Sequence, residues 1–169
     1  MTPDRPDLHH PLQRLGSAAD PPPSEAVGEF LAACAADGIG AALEALNRRV
    51  LHRYTAIYRL EGALLRNVAL VDKAQQMRPE FLAEVPLATS FCQFVLKDGV
   101  FLTADSAGDD RLDGHPYKGV MVAYHGVPIP DADDKVFGTL CHFDVAEQAL
   151  SDAEFDNLQN IARVVRPYL

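Results

Sequence analysis

Thr89 to Asp144 reads TSFCQFVLKDGVFLTADSAGDDRLDGHPYKGVMVAYHGVPIPDADDKVFGTLCHFD, and the fold turns on this stretch. Ser90 with Gln93 three residues later has the spacing of a capping box, so a helix is predicted from there to about Lys97. Asp98-Gly99 is its stop, and Phe91, Phe94 and Val95 form its apolar stripe. Val100 to Asp105, Val120 to Ile129 and Val136 to Phe143 have the β-branched and aromatic content of strands. The acidic turn Pro130-Asp131-Ala132-Asp133-Asp134-Lys135 joins the last two as an antiparallel hairpin. Between them, Ser106 to Lys118 is an irregular loop with room for one helical turn, because Gly108, Asp109, Asp110, Gly114 and Pro116 all favour turns. Two of the three cysteines, Cys92 and Cys141, lie within the stretch, so a pocket in this chain would be built mostly from it.

On its N-terminal side, residues 1–23 are polar and rich in proline, which predicts a flexible tail ending in a stiff Pro21-Pro22-Pro23 spacer. The pair His9-His10 reads most simply as solvated. Ser24 is placed to N-cap a helix in which Val27, Phe30, Leu31 and Cys34 share an apolar face. Asp37-Gly38-Ile39-Gly40 interrupts it, and a second helical run from Ala41 to about His52 turns Leu43, Leu46 and Val50 inward. Tyr54–Leu60 and Leu64–Asp72 are predicted strands joined across Glu61-Gly62. Pro79 opens a short helical turn to about Val85, which Pro86 ends.

On the C-terminal side, Ser151-Asp152-Ala153-Glu154 is a second capping box. It starts a helix whose Phe155, Leu158, Ala162 and Val165 form one seam, ended by Pro167. This order predicts an α+β domain over residues 24–169: an antiparallel sheet of five or six strands with the terminal helices on one face. The segments carrying Cys92 and the Asp105–Lys118 loop would cover the other face, leaving a cavity beneath them.

Composition narrows the function classes. A net charge of −9 argues against nucleic acid or anionic membrane as a partner. No apolar run is long enough to span a bilayer, and the N-terminal sequence lacks the apolar core of a signal peptide. The expected location is the cytoplasm, with the cysteines reduced. Cys34, Cys92 and Cys141 are too widely spaced for a zinc module, and Asp131, Asp133, Asp134 and Asp144 lack calcium-loop spacing, so no metal is expected.

Ser90-Phe91-Cys92, Asp105-Ser106, Asp110-Arg111-Leu112, Tyr124-His125-Gly126-Val127-Pro128-Ile129, Gly138-Thr139-Leu140-Cys141-His142-Phe143-Asp144 and Leu150-Ser151 occur in that order. In this the chain resembles a GAF domain of the bacterial sensory subgroup, over roughly residues 25 to 169. It departs from that pattern at Ser106, usually Ala, at Leu112, usually Phe, and at Asp133-Asp134, where the last hairpin usually has a turn glycine. The resemblance implies the fold above, a ligand pocket and homodimerisation through the terminal helices. It also implies a small-molecule-sensing regulatory module that passes its signal to a protein partner, with no output domain of its own in this sequence. Two other readings stay open: a ligand-free interaction module dimerising along the Phe155–Val165 seam, and a thiol redox enzyme using Cys92 and Cys141.

Candidate ligand contacts are Phe91, Cys92, Asp105, Asp110, Arg111, Tyr117, Tyr124, Cys141 and Phe143. Near the start of a capped helix Cys92 would have its thiol pKa lowered by the helix dipole, although a small apolar filler is the plainer reading. Cys141 is expected to share a strand face with Phe137, Thr139 and Phe143. Asp110-Arg111 reads equally as a ligand contact or a local ion pair. No catalytic residue is assigned. Compared with free methionine sulfoxide reductase, the strand and loop that would supply the nucleophile, Phe101 to Ser106, contain no cysteine. Asp113 to Tyr117, where phytochrome-type domains attach a bilin, also contains none, which argues against covalent attachment there. His115, His125 and His142 are conceivable haem ligands, each more simply a packed polar residue. The cofactor is left open, with a small metabolite as one candidate.

Overall fold

The computed structural model describes residues 23–169, so the proline-rich tail expected over 1–23, with His9-His10, lies outside the described residues apart from Pro23. Ser24 caps helix α1 (Glu25–Asp37), its hydroxyl accepting from the Val27 amide at 3.3 Å. The same hydroxyl donates to Asn157 of the last helix at 3.0 Å, tying the two ends of the domain together. Gly38, at φ 87°, turns the chain from α1 directly into α2 (Ile39–Asn47). The second helix stops well short of His52. Asn47 donates to the His52 carbonyl at 3.2 Å and to the Thr55 hydroxyl at 2.8 Å, drawing the chain out of the helix and into the first strand.

Strands β1 (Tyr54–Glu61) and β2 (Leu64–Asp72) form the expected hairpin. Ile57 faces Ala69 while Tyr58 faces Asn67, so Val68 is the extra residue of a bulge. The Asn67 amide donates to the carbonyls of Ile57 and Ala69 at 3.2 and 3.0 Å, covering groups the bulge would otherwise leave unpaired.

The Pro79–Pro86 segment differs from expectation. Its helical turn covers only Glu80–Leu82, and Glu84–Pro86 forms an edge strand, β3, that pairs Val85 with Leu65 of β2. The free edge of β2 decides this, together with the Tyr58 hydroxyl, which donates to the Leu82 carbonyl at 3.0 Å. Helix α3 (Cys92–Asp98) ends at Gly99, φ 85°, as predicted. Its capping box is absent. Ser90 donates instead to the Leu87 carbonyl at 2.9 Å, and the Gln93 amide bonds the Ala88 and Ser90 carbonyls, each at 2.9 Å, because a 3-10 turn at Leu87–Thr89 offers its carbonyls first.

Strands β4 (Phe101–Thr103), β5 (Ala123–Pro130) and β6 (Val136–Asp144) complete one six-stranded antiparallel sheet, ordered β3-β2-β1-β6-β5-β4. In the acidic turn between β5 and β6, Asp133 takes φ 64°. Aspartate is among the few side chains that tolerate this left-handed conformation, which explains how the hairpin closes without glycine. Helix α4 (Asp152–Val164) is capped by Ser151, which accepts from the Glu154 amide at 3.2 Å. Its first-turn Glu154 pairs with Arg49 at 3.1 Å rather than reaching back to the cap.

Alternation along the strands divides the domain into two cores. On one face Ile57, Val127, Ile129 and Leu140 pack against Phe30, Leu43, Leu46, Leu158 and Ile161 of α1, α2 and α4. On the other, Tyr54, Ala56, Tyr58, Tyr124, Cys141 and Phe143 meet Leu82, Phe91, Cys92, Val95, Phe101 and Leu112. Two expectations change here. Phe137 does not share the face of Cys141: Ile129 pairs with Gly138 and Pro130 with Val136, so Phe137 is skipped and turns to the helix side. The seam of α4 is also used within the chain: Leu158, Ala162 and Val165 are at most 1% exposed, and Phe155, at its start, is only partly buried.

Gly138 sits where β6 crosses closest to β1: a Cβ built there would lie 1.8 Å from the Tyr58 carbonyl oxygen. Backbone cannot yield as a flexible side chain can, so Gly138→Ala is expected to destabilise the domain by about 1–3 kcal/mol or more. Urea unfolding checks this, and a midpoint equal to wild type would refute the close approach.

Candidate functional site

Between the second core face and its cover lies a cavity of about 80 Å³. Its floor is sheet: Tyr58 from β1, Tyr124 from β5, Cys141 and Phe143 from β6, with Leu65 of β2. Its roof is the irregular chain before α3, where Phe81, Leu82, Val85, Thr89 and Ser90 lead into Phe91 and Cys92, together with Tyr117 and Met121 of the long loop. The floor follows from strand alternation. The roof follows from the Tyr58–Leu82 hydrogen bond and from Ser106, which is fully buried. Ser106 donates to the Met121 carbonyl at 2.6 Å and accepts from the Gly119 amide at 2.9 Å. A serine in place of the usual alanine at this position thus fastens the loop. Leu112, a second of the three departures noted in the sequence, is fully buried in the same core.

Six of the nine candidate contacts meet at the cavity: Phe91, Cys92, Tyr117, Tyr124, Cys141 and Phe143. Asp105, Asp110 and Arg111 do not. Asp105 is exposed and its carboxylate accepts from the Ala107 amide at 3.0 Å, fixing a turn. Arg111 pairs with Asp109, not Asp110: its Nε donates to Oδ1 at 2.9 Å and its Nη2 to Oδ2 at 2.5 Å. It also donates to the Leu102 carbonyl at 2.8 Å and stacks its guanidinium 4.6 Å from the Phe101 ring centre. The paired Arg111 holds the Asp109 carboxyl down at about 2. Asp110, exposed, lies outside this arrangement. The local ion pair is therefore real, with Asp109 as its acid. Tyr58, Leu82, Val85 and Met121 were not singled out in sequence, because nothing local marks an apolar residue as cavity wall rather than core.

The chemistry of the cavity centres on Cys92. It begins α3, and its Sγ lies 3.1 Å from the Tyr124 hydroxyl and 3.3 Å from the Thr139 hydroxyl. The Cys141 thiol also approaches it, and this contact, ahead of Thr139 and Tyr124, favours the thiolate. Burial alone would raise the pKa. The converging groups outweigh it and bring Cys92 down to about 7, while the neighbouring Cys92 and burial push Cys141 well up. Hydrogen bonds to the sulfur carry this lowering against the opposing effect of burial. Cys34 lies on the helix side of the sheet, where burial raises its pKa. All three cysteines are free thiols.

A second polar cluster occupies the opposite face. His52, His125 and His142 are buried beside Asn47 and Thr55. His52 Nε2 and His125 Nδ1 share a proton at 2.9 Å, and the Thr55 hydroxyl lies 2.7 Å from His142 Nδ1. Thr55 also accepts from Asn47 at 2.8 Å, so its hydroxyl links that amide to the His142 ring. His52 Nδ1 and His142 Nε2 have no protein partner. These rings cannot charge cheaply: burial lowers His52 and His125 to about 4 and holds His142 well below the ordinary imidazole range. Asp144 raises His52 and Lys73 lowers it, both more weakly than burial. Facing the helices, His125 and His142 are turned away from the cavity and cannot ligate a group held there. His115 packs its ring 4.7 Å from Phe91 and accepts from the Tyr117 amide at 3.1 Å, bracing the loop. Asp144 is similarly engaged, accepting from the Arg53 and Ala146 amides at 2.8 and 3.1 Å. Among the described residues no group of three or more His, Cys, Asp or Glu side chains could hold a metal ion, and no helix is long and apolar enough to cross a membrane.

The six-stranded antiparallel sheet, helices on one face and covered cavity on the other define a GAF-type fold, and solved structures agree. The GAF domain of the Acinetobacter phosphoenolpyruvate-protein phosphotransferase superposes with a TM-score of 0.64 at 16% identity, over 82% of this chain and 86% of that one. Free methionine-R-sulfoxide reductase from Neisseria meningitidis gives 0.66 at 12% identity, over 85% and 86%. The type II enzyme from Thermoplasma acidophilum gives 0.60 at 19%, over 77% and 88%. No family model and no curated protein sequence matches the chain. At these identities the likeness is one of fold, shared by a GAF domain and by enzymes alike.

Two expected outcomes follow from the two polar clusters. Tyr124→Phe removes one donor to Cys92, so the thiolate titration of that cysteine shifts upward from about 7 toward ordinary thiol values; alkylation rate against pH, read on the Cys92 peptide, measures it. The unfolded chain binds protons at histidines near pH 6.5, whereas His52 and His125 bind them only near 4. The unfolded state therefore takes up more protons between those values, and stability, flat from this source above about pH 7, falls as pH drops. Each histidine contributes a slope of up to about 1.4 kcal/mol per pH unit. Urea midpoints between pH 7.5 and 5 test this, with His125→Gln expected to flatten the dependence.

Proposed function

We propose that this chain is a small-molecule-sensing regulatory module of GAF type, holding its ligand between the sheet and the Phe81–Cys92 roof. The covered cavity is the observation that carries this reading. Its walls are mostly apolar, with a few polar residues, Thr89, Ser90, Cys92 and Tyr124, among them, which is the usual composition of a small-ligand site. At about 80 Å³ it is well below the roughly 300–1,000 Å³ of drug-sized pockets, which favours a small metabolite. A tetrapyrrole or haem would need the roof to move.

A ligand would act by binding one arrangement of roof and sheet more tightly than another, and a partner protein would read the difference. Free cysteines and the absence of a membrane-crossing helix among the described residues suit a cytoplasmic setting. Pairing of two copies through the terminal helices belongs to the same reading, and burial of the α4 seam confines such contact to their outer faces. The reductase reading is weaker, because the stretch from Phe101 to Ser106 has no cysteine, and no catalytic residue is assigned.

Native mass spectrometry of protein purified from cells tests the proposal. A non-covalent added mass is expected, lost on denaturation and lost in Met121→Trp, which fills the cavity from its partly buried wall. An apo mass, together with no thermal shift from a library of small metabolites, would overturn it.

A further inference from the structure

Cys92 and Cys141 are brought together from chain positions far apart, one opening the helix over the cavity and the other in the middle of the sheet beneath it. Both line the cavity, so an oxidant small enough to enter it reaches both sulfurs although neither is exposed at the surface. The hydroxyls of Tyr124 and Thr139 aim at Cys92 Sγ, and a mere space-filling cysteine needs neither. Cys141 has a different environment, its thiol donating to the Ala56 carbonyl at 3.7 Å with Cys92 as its neighbour in the cavity wall. One sulfur is thus surrounded by donors that suit a thiolate, and the other is kept protonated beside it. This asymmetry is what a nucleophilic and a resolving cysteine require. Cys34 has no such surroundings and lies across the sheet.

We propose that Cys92 and Cys141 form a peroxide-oxidised dithiol switch in the cavity wall, closing a disulfide that ties α3 to the centre of the sheet. The Cys92 thiolate attacks one oxygen of a hydroperoxide ROOH: an S–O bond forms, the O–O bond breaks, and the leaving alkoxide takes a proton to give ROH. Cys92 is now a sulfenic acid, oxidised by two electrons. Cys141 attacks that sulfur, an S–S bond forms, the S–O bond breaks, and the departing hydroxide takes the Cys141 proton as water. The sum is two thiols and one hydroperoxide giving one disulfide, one alcohol and one water. Exchange with an external dithiol reverses it. The disulfide replaces a flexible pair of thiols with a fixed link between roof and floor, so oxidation alters the space in which a ligand would bind.

The step needs no ligand, so the test uses the full chain stripped of bound small molecules, and its failure would leave the sensor reading untouched. The protein is treated with stoichiometric hydrogen peroxide near neutral pH, quenched with an alkylating agent under denaturing conditions and mapped by peptide mass. The expected product has lost the mass of two hydrogens, carries a cross-linked Cys92–Cys141 peptide and leaves Cys34 alkylated. In Cys141→Ser the reaction stops at a sulfenic acid on Cys92, trapped by a dione reagent. Cys34→Ser behaves as wild type. Equal oxidation of all three cysteines, or cross-links only between chains, would overturn the proposal. So would peroxide reactivity no greater than that of an unfolded cysteine peptide. The wild-type map decides the matter even if Cys141→Ser does not fold.

Discussion

The pairing of β1 with β6 is the constraint on which the rest of the molecule depends. Both strands are central and covered on both faces, and they align Ala56 with Cys141 and Thr55 with His142. Side chains alternate with period two, so a slip of one residue would carry Cys141 to the helices and His142 into the cavity. Gly138 helps fix that register, because β6 meets the Tyr58 carbonyl at a distance where no Cβ fits. Bulges at Val68 and Phe137 then bend the neighbouring pairings without disturbing the centre.

From this register come two faces with opposite treatments of polar groups. The helix face buries three histidines and keeps them neutral, because desolvation of an imidazolium is not offset by a nearby carboxylate strong enough to hold the charge. The cavity face does the reverse for a thiol. Burial would suppress the Cys92 thiolate, yet three donors from three different strand positions, Tyr124, Thr139 and Cys141, stabilise it. The sheet's cavity side is thus polar at one point and apolar elsewhere, and the roof, held by Tyr58 to Leu82 and by Ser106 to Met121, closes over that point.

The elements that sequence alone revealed are those whose signal is local. Ser24 and Ser151 cap helices where proline or a polar run clears the preceding chain, Gly99 ends α3 with a positive φ, and the hydrophobic period of α4 matches its buried face. The candidates Phe91, Cys92, Tyr124, Cys141 and Phe143 were legible because strand alternation and a short helix suffice to turn them to one side. What failed locally failed for a reason that lies elsewhere in the chain. The Ser90–Gln93 box lost to the carbonyls of the turn before it, Arg111 chose Asp109 over its immediate neighbour Asp110, and β3 formed because β2 had an open edge.

Sequence by itself determined the order of the helices and main strands, the α+β class, the acidic net charge and the polar and aromatic candidates that meet at the cavity, since each depends on propensity, periodicity or charge within a short window. Tertiary structure alone decided the edge strand, the bulge that moves Phe137, the roof, the burial of the α4 seam and the hydrogen bonds to Cys92. Each of these joins residues that are remote in the chain, and their energies arise only once the β1–β6 register has brought them together.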